Sequence, residues 1–294
     1  MARFELTEIT TGDSLIHQGI AAIPDRPGRT AVLWVHGLTS KFYSNPMLIN
    51  ELADECTAHN MAFAAFNNRG HDIATGITTV DSNQPSGKGH FTGGAGYEHF
   101  EDSLYDIAAG VKYLHSRGFA DVVVAGHSSG ANKACYFAAQ IPERIAGVVL
   151  AGPLSDRYSP HVDKAEYEKN LTMLKMLRDD NKGDSLLTKV SWFPMTADRA
   201  WSLIAPNTSE DVFNYGDSEH VLETFSSIQV PTLVVFSGSD EYADRPVGEI
   251  QKIFDKMHTA KSYRSVVIPE AAHGFEGKER EFSQALVEWA QNLS

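Results

Sequence analysis

The chain has 294 residues, of which 42% are hydrophobic and 21% are charged, a composition typical of a folded globular protein rather than a disordered one. Its 25 basic and 38 acidic side chains give a formal net charge of -13 at pH 7. Because such a surface repels phosphate backbones and anionic lipids, neither nucleic acid nor a membrane is expected as a partner.

The N-terminal segment and the cysteines indicate a cytoplasmic protein. Residues 1–15 contain neither the apolar core nor the cleavage pattern of an export signal, and no apolar run approaches the length that spans a bilayer. The two cysteines, Cys56 and Cys135, are too few for a disulfide framework, and both fall in helical patterns. We therefore expect reduced thiols in the core.

Short apolar runs alternate with amphipathic stretches, which is typical of an α/β fold with a parallel or mixed sheet covered by helices. Strands are predicted at 3–9, 15–22, 31–36, 61–66, 121–126, 146–151, 231–236 and 263–268. Helices are predicted at 45–59, 98–117, 129–140, 245–257 and 277–293. Runs of β-branched residues such as Val122–Val124 indicate strands that are buried on both faces.

Two insertions interrupt this alternation. Residues 72–97 are rich in Gly, Ser, Thr and Asn, and form either a mobile rim of a pocket or a plain surface loop. Residues 155–228 contain helical patterns but no convincing buried strand, which predicts a cap over the carboxyl edge of the sheet, where ligands bind. The predicted organisation is therefore a core domain of residues 1–154 and 229–294 with a cap insertion of residues 155–228.

The predicted cap contains several large apolar side chains. They are Met173, Met176, Trp192, Phe193, Trp201 and Phe213. Most are expected to form a small core of the cap itself, and Trp192 and Trp201 are also candidates for contact with a substrate.

The strongest functional motif is G-x-S-x-G, formed by Gly126, Ser128 and Gly130 between a Val-rich strand and an Ala-rich helix. At this spacing the serine occupies a strained strand-to-helix turn that exposes its hydroxyl, as in a nucleophile elbow. The N-terminus of the following helix favours a developing oxyanion. Ser128 is therefore the predicted nucleophile, and the adjacent Ser129 is expected to contribute its backbone N–H.

A serine hydroxyl needs a base, and the base needs a carboxylate to orient it. His273 follows the last predicted strand, so it belongs to the same sheet edge as Ser128. Asp240 follows the strand before it, and the order Ser128, Asp240, His273 is that of nucleophile, acid and base in one large class of hydrolases. Carboxylates that remain alternatives to Asp240 are Asp244, Glu241 and Asp156.

The loop after the third predicted strand supplies the second oxyanion donor. There His36 and Gly37 precede Leu38, whose backbone N–H is expected to join that of Ser129. Loss of one such donor typically costs about 3–4 kcal/mol of transition-state stabilisation. The residues that follow, Lys41, Phe42 and Tyr43, are candidates for the pocket entrance. Lys41 either attracts a carboxylate-bearing substrate or is a solvated surface lysine.

These motifs, in this order, resemble the α/β-hydrolase superfamily over nearly the whole chain. They are His36-Gly37, Asn68-Arg69-Gly70-His71, Gly126–Gly130, Gly238-Ser239-Asp240 and Ala272-His273-Gly274. The resemblance implies an eight-stranded, mostly parallel sheet and a two-step acyl-serine mechanism. The His-Gly-Leu form looks like the branch that handles esters of primary and secondary alcohols. Asn67 or Asn68 stands where the family usually has an aspartate.

A narrower resemblance lies in Pro153–Arg157 and the long insertion after it, which are similar to a subgroup that includes siderophore-ester hydrolases. It implies a sizeable or cyclic ester as substrate.

The predicted function is therefore hydrolysis of a small-molecule carboxylic ester. A thioesterase, lactonase or amidase with the same triad is an alternative, as is a non-catalytic ligand receptor on the same fold. No cofactor and no metal are expected, because the chain has neither H-E-x-x-H nor Cys or His pairs at ligand spacing. The protein is expected to be a monomer or a homodimer.

Overall fold

The computed structural model of the chain describes residues 1–157, 163–217 and 219–293. Its strands are β1 (Phe4–Thr10), β2 (Ile16–Ala22), β3 (Thr30–Val35), β4 (Ala62–Phe66), β5 (Thr75–Val80), β6 (Lys88–Gly93), β7 (Asp121–His127), β8 (Gly147–Ala151), β9 (Leu186–Leu187), β10 (Met195–Thr196), β11 (Thr232–Ser237) and β12 (Tyr263–Ile268). Its helices are α1 (Pro46–Ala58), α2 (Ser103–Ser116), α3 (Ser129–Gln140), α4 (Lys164–Asp179), α5 (Ala197–Ile204), α6 (Glu223–Ser226), α7 (Val247–Met257) and α8 (Glu279–Gln291).

Eight strands form the central sheet in the order β1-β2-β4-β3-β7-β8-β11-β12. Strand β2 pairs antiparallel with both neighbours, and every other pair between β4 and β12 is parallel. The predicted α/β fold with a mostly parallel eight-stranded sheet is confirmed. Because the parallel strands share one direction, the segments that follow β3, β7, β8, β11 and β12 all emerge at one edge.

Helices cover both faces of the sheet, and the strands alternate between the two layers. Val122 and Val124 of β7 pack in the layer that contains α2, α3 and α7, whereas Val123 and Ala125 pack in the layer that contains α1 and α8. This alternation follows from the two-residue period of a strand. It explains why the central strands are apolar at nearly every position.

Each layer buries one free cysteine. Cys56 lies on α1 and Cys135 on α3, and neither side chain is exposed. Burial raises the pKa of both thiols above the ordinary value. Both side chains therefore behave as small apolar core residues.

Residues 72–97, predicted as a mobile rim of a pocket or a plain surface loop, contain an antiparallel hairpin of β5 and β6. Strands β5 and β6 pair along their whole length, from Thr75 opposite Gly93 to Val80 opposite Lys88. Ile77 is the buried residue of β5, with 2% of its surface exposed. The hairpin packs beside β2, and backbone hydrogen bonds from Val80 to Ser14 and from Gly94 to Arg69 connect both of its ends to the core domain.

The predicted cap range of 155–228 includes residues 158–162 and 218, which lie outside the described residues. In its described part, helices α4 and α5 and the short β9–β10 ribbon pack around a small apolar cluster. That cluster contains Ala95, Leu174, Phe193, Met195, Ala197, Ala200 and Leu203.

Three of the apolar residues expected in that cluster lie elsewhere. Met176 and Trp192 are at the surface, with 65% and 73% of their area exposed. Phe213 packs in the main core, where its ring lies 5.8 Å from that of Phe254. In the described ranges, no helix is both long enough and apolar enough to cross a membrane.

Candidate active site

Ser128 occupies the sharp turn between β7 and α3. Its φ of 57° and ψ of −129° are strained for a residue with a side chain. A Cβ on Gly126 would overlap the carbonyl oxygen of Gly130, and a Cβ on Gly130 would overlap that of Val35. Both glycines of the motif are therefore required by close backbone contacts, as the pattern predicted.

The His273 ring is bonded to Asp240, which follows β11. The distance from His273 Nδ1 to Asp240 Oδ2 is 2.7 Å, and the side chains are 14% and 2% exposed. The other Asp240 oxygen accepts the Tyr242 N–H at 3.0 Å. With both oxygens held, the carboxylate fixes the ring with Nδ1 as the donor and leaves Nε2 as the acceptor.

None of the three alternative carboxylates is bonded to the His273 ring in the described part of the chain. Asp244 pairs with the Arg245 guanidinium at 2.7 Å. Glu241 accepts the backbone N–H of His273 at 2.9 Å, so it supports the loop rather than the ring. In the described part of the chain, Asp156 makes no hydrogen bond to the ring. Of the four carboxylates, Asp240 alone is placed to orient His273.

The elbow and the His273 loop meet at Gly152. The Ser128 N–H donates to Ala151 O at 2.9 Å, and a Cβ on Gly152 would lie 3.1 Å from Cε1 of His273. The His127 ring donates from Nε2 to the carbonyl oxygen of His273 at 2.8 Å. Nucleophile and base candidates are thus held against the same short segment.

The pKa of His127 is lowered to about 4, mainly by burial and in part by the nearby His273. His127 is therefore neutral at pH 7. Across the described residues, Ser128 Oγ makes no hydrogen bond to the His273 ring, a contact that often closes only when substrate binds.

Two backbone donors flank Ser128. Ser129 is the first residue of α3, and its N–H has no partner within that helix. The Leu38 N–H lies on the loop after β3, and neither N–H makes a hydrogen bond within the described ranges. A Cβ on Gly37 would be 3.0 Å from that of Ser128, so this loop lies directly against the elbow.

Both ring nitrogens of His36 are hydrogen-bonded to backbone groups near the Leu38 loop. Its Nδ1 donates to Gly37 O at 2.9 Å, and its Nε2 accepts the Asn68 N–H at 3.1 Å. Burial lowers the pKa of His36 to about 3, so the ring is neutral at pH 7.

A buried ion network that the sequence analysis did not identify lies behind this loop. Lys133 of α3 donates to Glu98 at 2.6 Å and to Asn68 Oδ1 at 3.3 Å. Glu98 also accepts from Arg199 at 3.2 Å, and Arg199 pairs with Glu210. Neither Lys133 nor Glu98 belongs to a motif, so no sequence signal pointed to them.

Arg69, within the Asn68–His71 motif, holds the loop after β4. Its guanidinium bonds Asp106 at 2.9 Å and Asp13 at 3.0 Å, and it is almost fully buried. Arg69 and His17 hold the pKa of Asp106 well below its usual range despite burial. The side-chain ion pairs of Arg69 are with Asp13, Asp102 and Asp106, which supports a structural role.

The residues predicted at the pocket entrance are partly engaged with one another. Lys41 pairs with Asp72 at 2.7 Å and lies 5.5 Å from the Tyr43 ring centroid. Phe42 packs edge-on against Tyr43 with centroids 4.9 Å apart, and Tyr43 is 53% exposed. Lys41 is therefore neutralised locally rather than presented alone to a carboxylate.

The two tryptophans proposed for substrate contact lie outside this cluster. Trp192 is exposed and packs edge-on against Phe193. Trp201 lies under the Arg178 guanidinium at 5.0 Å and borders a cavity of about 380 Å³. None of Ser128, Asp240 and His273 borders that cavity, so the geometry does not join Trp201 to the triad candidates.

A family model described as "Protein of unknown function (DUF1749)" matches residues 88–291, which is more than half of the chain. No curated protein matches the sequence.

Solved structures with the same fold include hydrolases. Est1E from Butyrivibrio proteoclasticus, solved with ferulic acid bound, is 16% identical with a TM-score of 0.64, and the match covers 97% of this chain and 98% of that chain. The esterase Pf2001 of Pyrococcus furiosus is 17% identical with a TM-score of 0.60, covering 99% and 91%. The α/β hydrolase GrgF from Penicillium sp. sh18 is 12% identical with a TM-score of 0.68, covering 99% and 98%.

Proposed function

Because the chain belongs to the DUF1749 family and to the α/β-hydrolase superfamily, we propose that it is a serine hydrolase that cleaves carboxylic esters. The observation that carries the proposal is the meeting of two loops at Gly152, one with the strained Ser128 and the other with the His273–Asp240 pair at 2.7 Å. The names of two similar structures, the esterase Pf2001 and the α/β hydrolase GrgF, support the same class of reaction.

The first step forms an acyl-enzyme. His273 accepts the Ser128 hydroxyl proton while Oγ bonds to the substrate carbonyl carbon. The carbonyl oxygen becomes an oxyanion that the N–H groups of Leu38 and Ser129 stabilise. The C–O bond then breaks, and His273 returns its proton to the leaving alkoxide. Asp240 stabilises the transient imidazolium without accepting a proton.

The second step releases the acid by the same groups. Water gives a proton to His273 as its oxygen bonds to the acyl carbon, the bond to Ser128 Oγ breaks, and the serine regains the proton. The reaction needs neither metal nor organic cofactor. We include in the proposal a small-molecule ester as the partner, a monomer or homodimer as the working form, and the cytoplasm as its location.

Replacement of the nucleophile tests the assignment. Ser128→Ala is expected to lower kcat for p-nitrophenyl butyrate by about 10⁴- to 10⁶-fold, because the covalent route is lost. A fluorophosphonate probe is expected to label the wild-type protein and not this variant. Turnover that survives in folded Ser128→Ala would rule out the assignment.

Ser283→Ala is a suitable control because Ser283 on α8 is buried and its hydroxyl has no partner in the described part of the chain. It is expected to keep wild-type turnover and labelling. Matched esters, thioesters, lactones and amides then compare leaving groups, with the highest kcat/KM expected for esters. Bulky and cyclic esters belong in that series because of the resemblance of Pro153–Arg157.

A further inference from the structure

Lys133 is a buried cation on the helix that begins at the nucleophile. It lies five residues after Ser128 on α3, and its side chain is 1% exposed. Lysine is seldom buried to this degree, because desolvation of an ammonium is costly unless it is paired and hydrogen-bonded. Here Glu98 supplies the counter-charge at 2.6 Å and Asn68 an oxygen at 3.3 Å.

Asn68 connects Lys133 to the loop after β3. Its Oδ1 accepts from Lys133 and from the Gly70 N–H, the latter at 3.0 Å. Its Nδ2 donates to the His36 carbonyl at 3.3 Å, and its backbone N–H donates to His36 Nε2 at 3.1 Å. Two contacts from one residue therefore fix both the backbone and the ring of His36.

The His36 ring in turn fixes an oxyanion donor. Its Nδ1 donates to Gly37 O at 2.9 Å. The Gly37 carbonyl and the Leu38 N–H belong to one planar trans peptide, so the direction of one sets the direction of the other. In a trans peptide the C=O and N–H bonds lie in the same plane and point in opposite directions, so a hydrogen bond that fixes the Gly37 carbonyl also fixes the direction of the Leu38 N–H.

We propose that Lys133 is a positioning residue that holds the Leu38 N–H in register with the Ser129 N–H through Asn68 and His36. The inference rests on the proposed function. Ser129 begins α3 and Lys133 lies one turn further along the same helix, so one rigid element carries one donor and positions the other. A donor displaced by about 1 Å is enough to lower a rate roughly 100-fold.

The test is Lys133→Met, which keeps the length of the side chain and removes the charge and the hydrogen bonds. We expect kcat for p-nitrophenyl butyrate to fall about 10- to 100-fold with KM within about twofold, because the oxyanion exists only in the transition state. Affinity for butylboronic acid, which forms a tetrahedral serine adduct, is expected to fall by a similar factor.

If Lys133 only stabilised the fold, kcat would recover whenever thermal stability recovered. Two further variants test whether stability and kcat change together. In Lys133→Met the buried Glu98 carboxylate keeps Arg199 but loses its other cationic partner. The double variant Lys133→Met/Glu98→Gln removes that uncompensated charge, so it is expected to regain thermal stability but to keep the low kcat. Arg199→Met is the matched control, since Arg199 pairs with Glu98 and Glu210 but contacts neither Asn68 nor His36. It is expected to lower the Tm with boronate affinity within about twofold.

If Lys133→Met does not fold, Asn68→Asp replaces it. Aspartate still accepts from Lys133 and from the Gly70 N–H, but it lacks the donor to His36 O, so kcat is expected to fall about 3- to 10-fold. Unchanged kcat and boronate affinity in the folded Lys133 variant, or in Asn68→Asp, would overturn the inference. Fluorophosphonate labelling of the wild type separates the proposed function from the positioning role of Lys133. If the wild type is not labelled, both proposals are wrong. If it is labelled but the Lys133 variant keeps wild-type kcat and boronate affinity, only the positioning role is wrong.

Discussion

Asp240 and Asp244 are four residues apart on one loop, and their partners distinguish them. Asp240 is almost fully buried and bonds the His273 ring, whereas Asp244 pairs with Arg245. A carboxylate aligns an imidazole only if it accepts a hydrogen bond directly from the Nδ1–H group. The sequence spacing left both residues open, and the side-chain contacts favour Asp240 as the orienting acid.

Substitution of each aspartate separates the two roles. Asp240→Asn is expected to lower kcat by about 10⁴-fold, because an amide favours the wrong histidine tautomer. Asp244→Asn is expected to change kcat by less than about threefold, since it removes only a partly exposed ion pair. Steady-state kinetics with p-nitrophenyl butyrate measure both. Equal losses in the two variants would contradict the assignment.

Single residues differ in how far the sequence predicts them. Ser128 and His273 were predictable because close backbone contacts require the glycines around the serine, and because strand order brings the histidine to the same edge. Lys133 was not predictable. A lysine within a helix normally faces solvent, and its partner Glu98 is 35 residues away with no motif to connect them.

Among the secondary-structure elements, helix α1 is connected to the histidine loop through its N-cap residue. Asn45 caps the helix, and its Oδ1 accepts the Leu48 N–H at 3.1 Å. Its Nδ2 donates to the carbonyl oxygen of Gly274 at 3.0 Å, next to His273. One side chain thus satisfies a helix N-terminus and supports a loop of the candidate active site.

Asn45→Ala is expected to lower the free energy of unfolding by about 1 kcal/mol, with a range of roughly 0.5–2 kcal/mol, because the cap is lost. Asn45→Asp keeps the cap oxygen and is expected to lose less than half as much. Urea denaturation followed by circular dichroism measures both. Equal destabilisation by the two substitutions would show that the bond to Gly274, rather than the cap, provides the stability.

The elements of the core were predicted within a few residues because they are apolar at the period of their own geometry. Strands β5 and β6 were not, since Ile77 is their main buried contact and Gly76, Gly89 and Gly93 are typical of loops. Their strand conformation comes from pairing with each other. The amino-acid composition of either segment alone does not predict this pairing.

For the molecule as a whole, burial of neutral histidines couples stability to pH. Burial lowers the pKa of His127 to about 4, whereas an exposed histidine in the unfolded chain titrates near 6.5. Between these values the unfolded chain binds a proton that the folded chain does not. The contribution of His127 to stability is therefore complete above about pH 6.5 and is lost as the pH falls towards 4.

His127→Gln keeps a donor for the His273 carbonyl but does not titrate. As the pH is lowered from about 6.5 to about 4, the wild type loses stability that this variant keeps. The free energy of unfolding of the variant minus that of the wild type is therefore expected to increase by about 1.4 kcal/mol for each pH unit of the decrease. Urea unfolding at several pH values measures the difference. Buried carboxylates such as Asp211, whose pKa burial raises to about 6, act in the opposite sense and cancel between the two proteins. Parallel pH curves would contradict this role of His127.

For the whole molecule, the feature hardest to predict from the sequence is which apolar residues pack in the sheet core and which pack in the cap. Phe213 and Phe225 lie within the predicted cap range but pack in the main core against Phe254. Trp192 has the hydrophobicity of a core residue and lies at the surface. Apolar content predicts burial somewhere in the molecule, whereas the choice of partner depends on tertiary contacts that no local pattern encodes.

The two cysteines on opposite faces of the sheet give each layer its own chemical reporter. Only a thiolate reacts readily with an alkylating reagent, and both sulfurs are buried and protonated. A reagent therefore reaches Cys56 after the α1 side has opened, and Cys135 after the α3 side has opened. The alkylation rates of the two native thiols therefore report separately on the local unfolding of the two helical layers, without any added label.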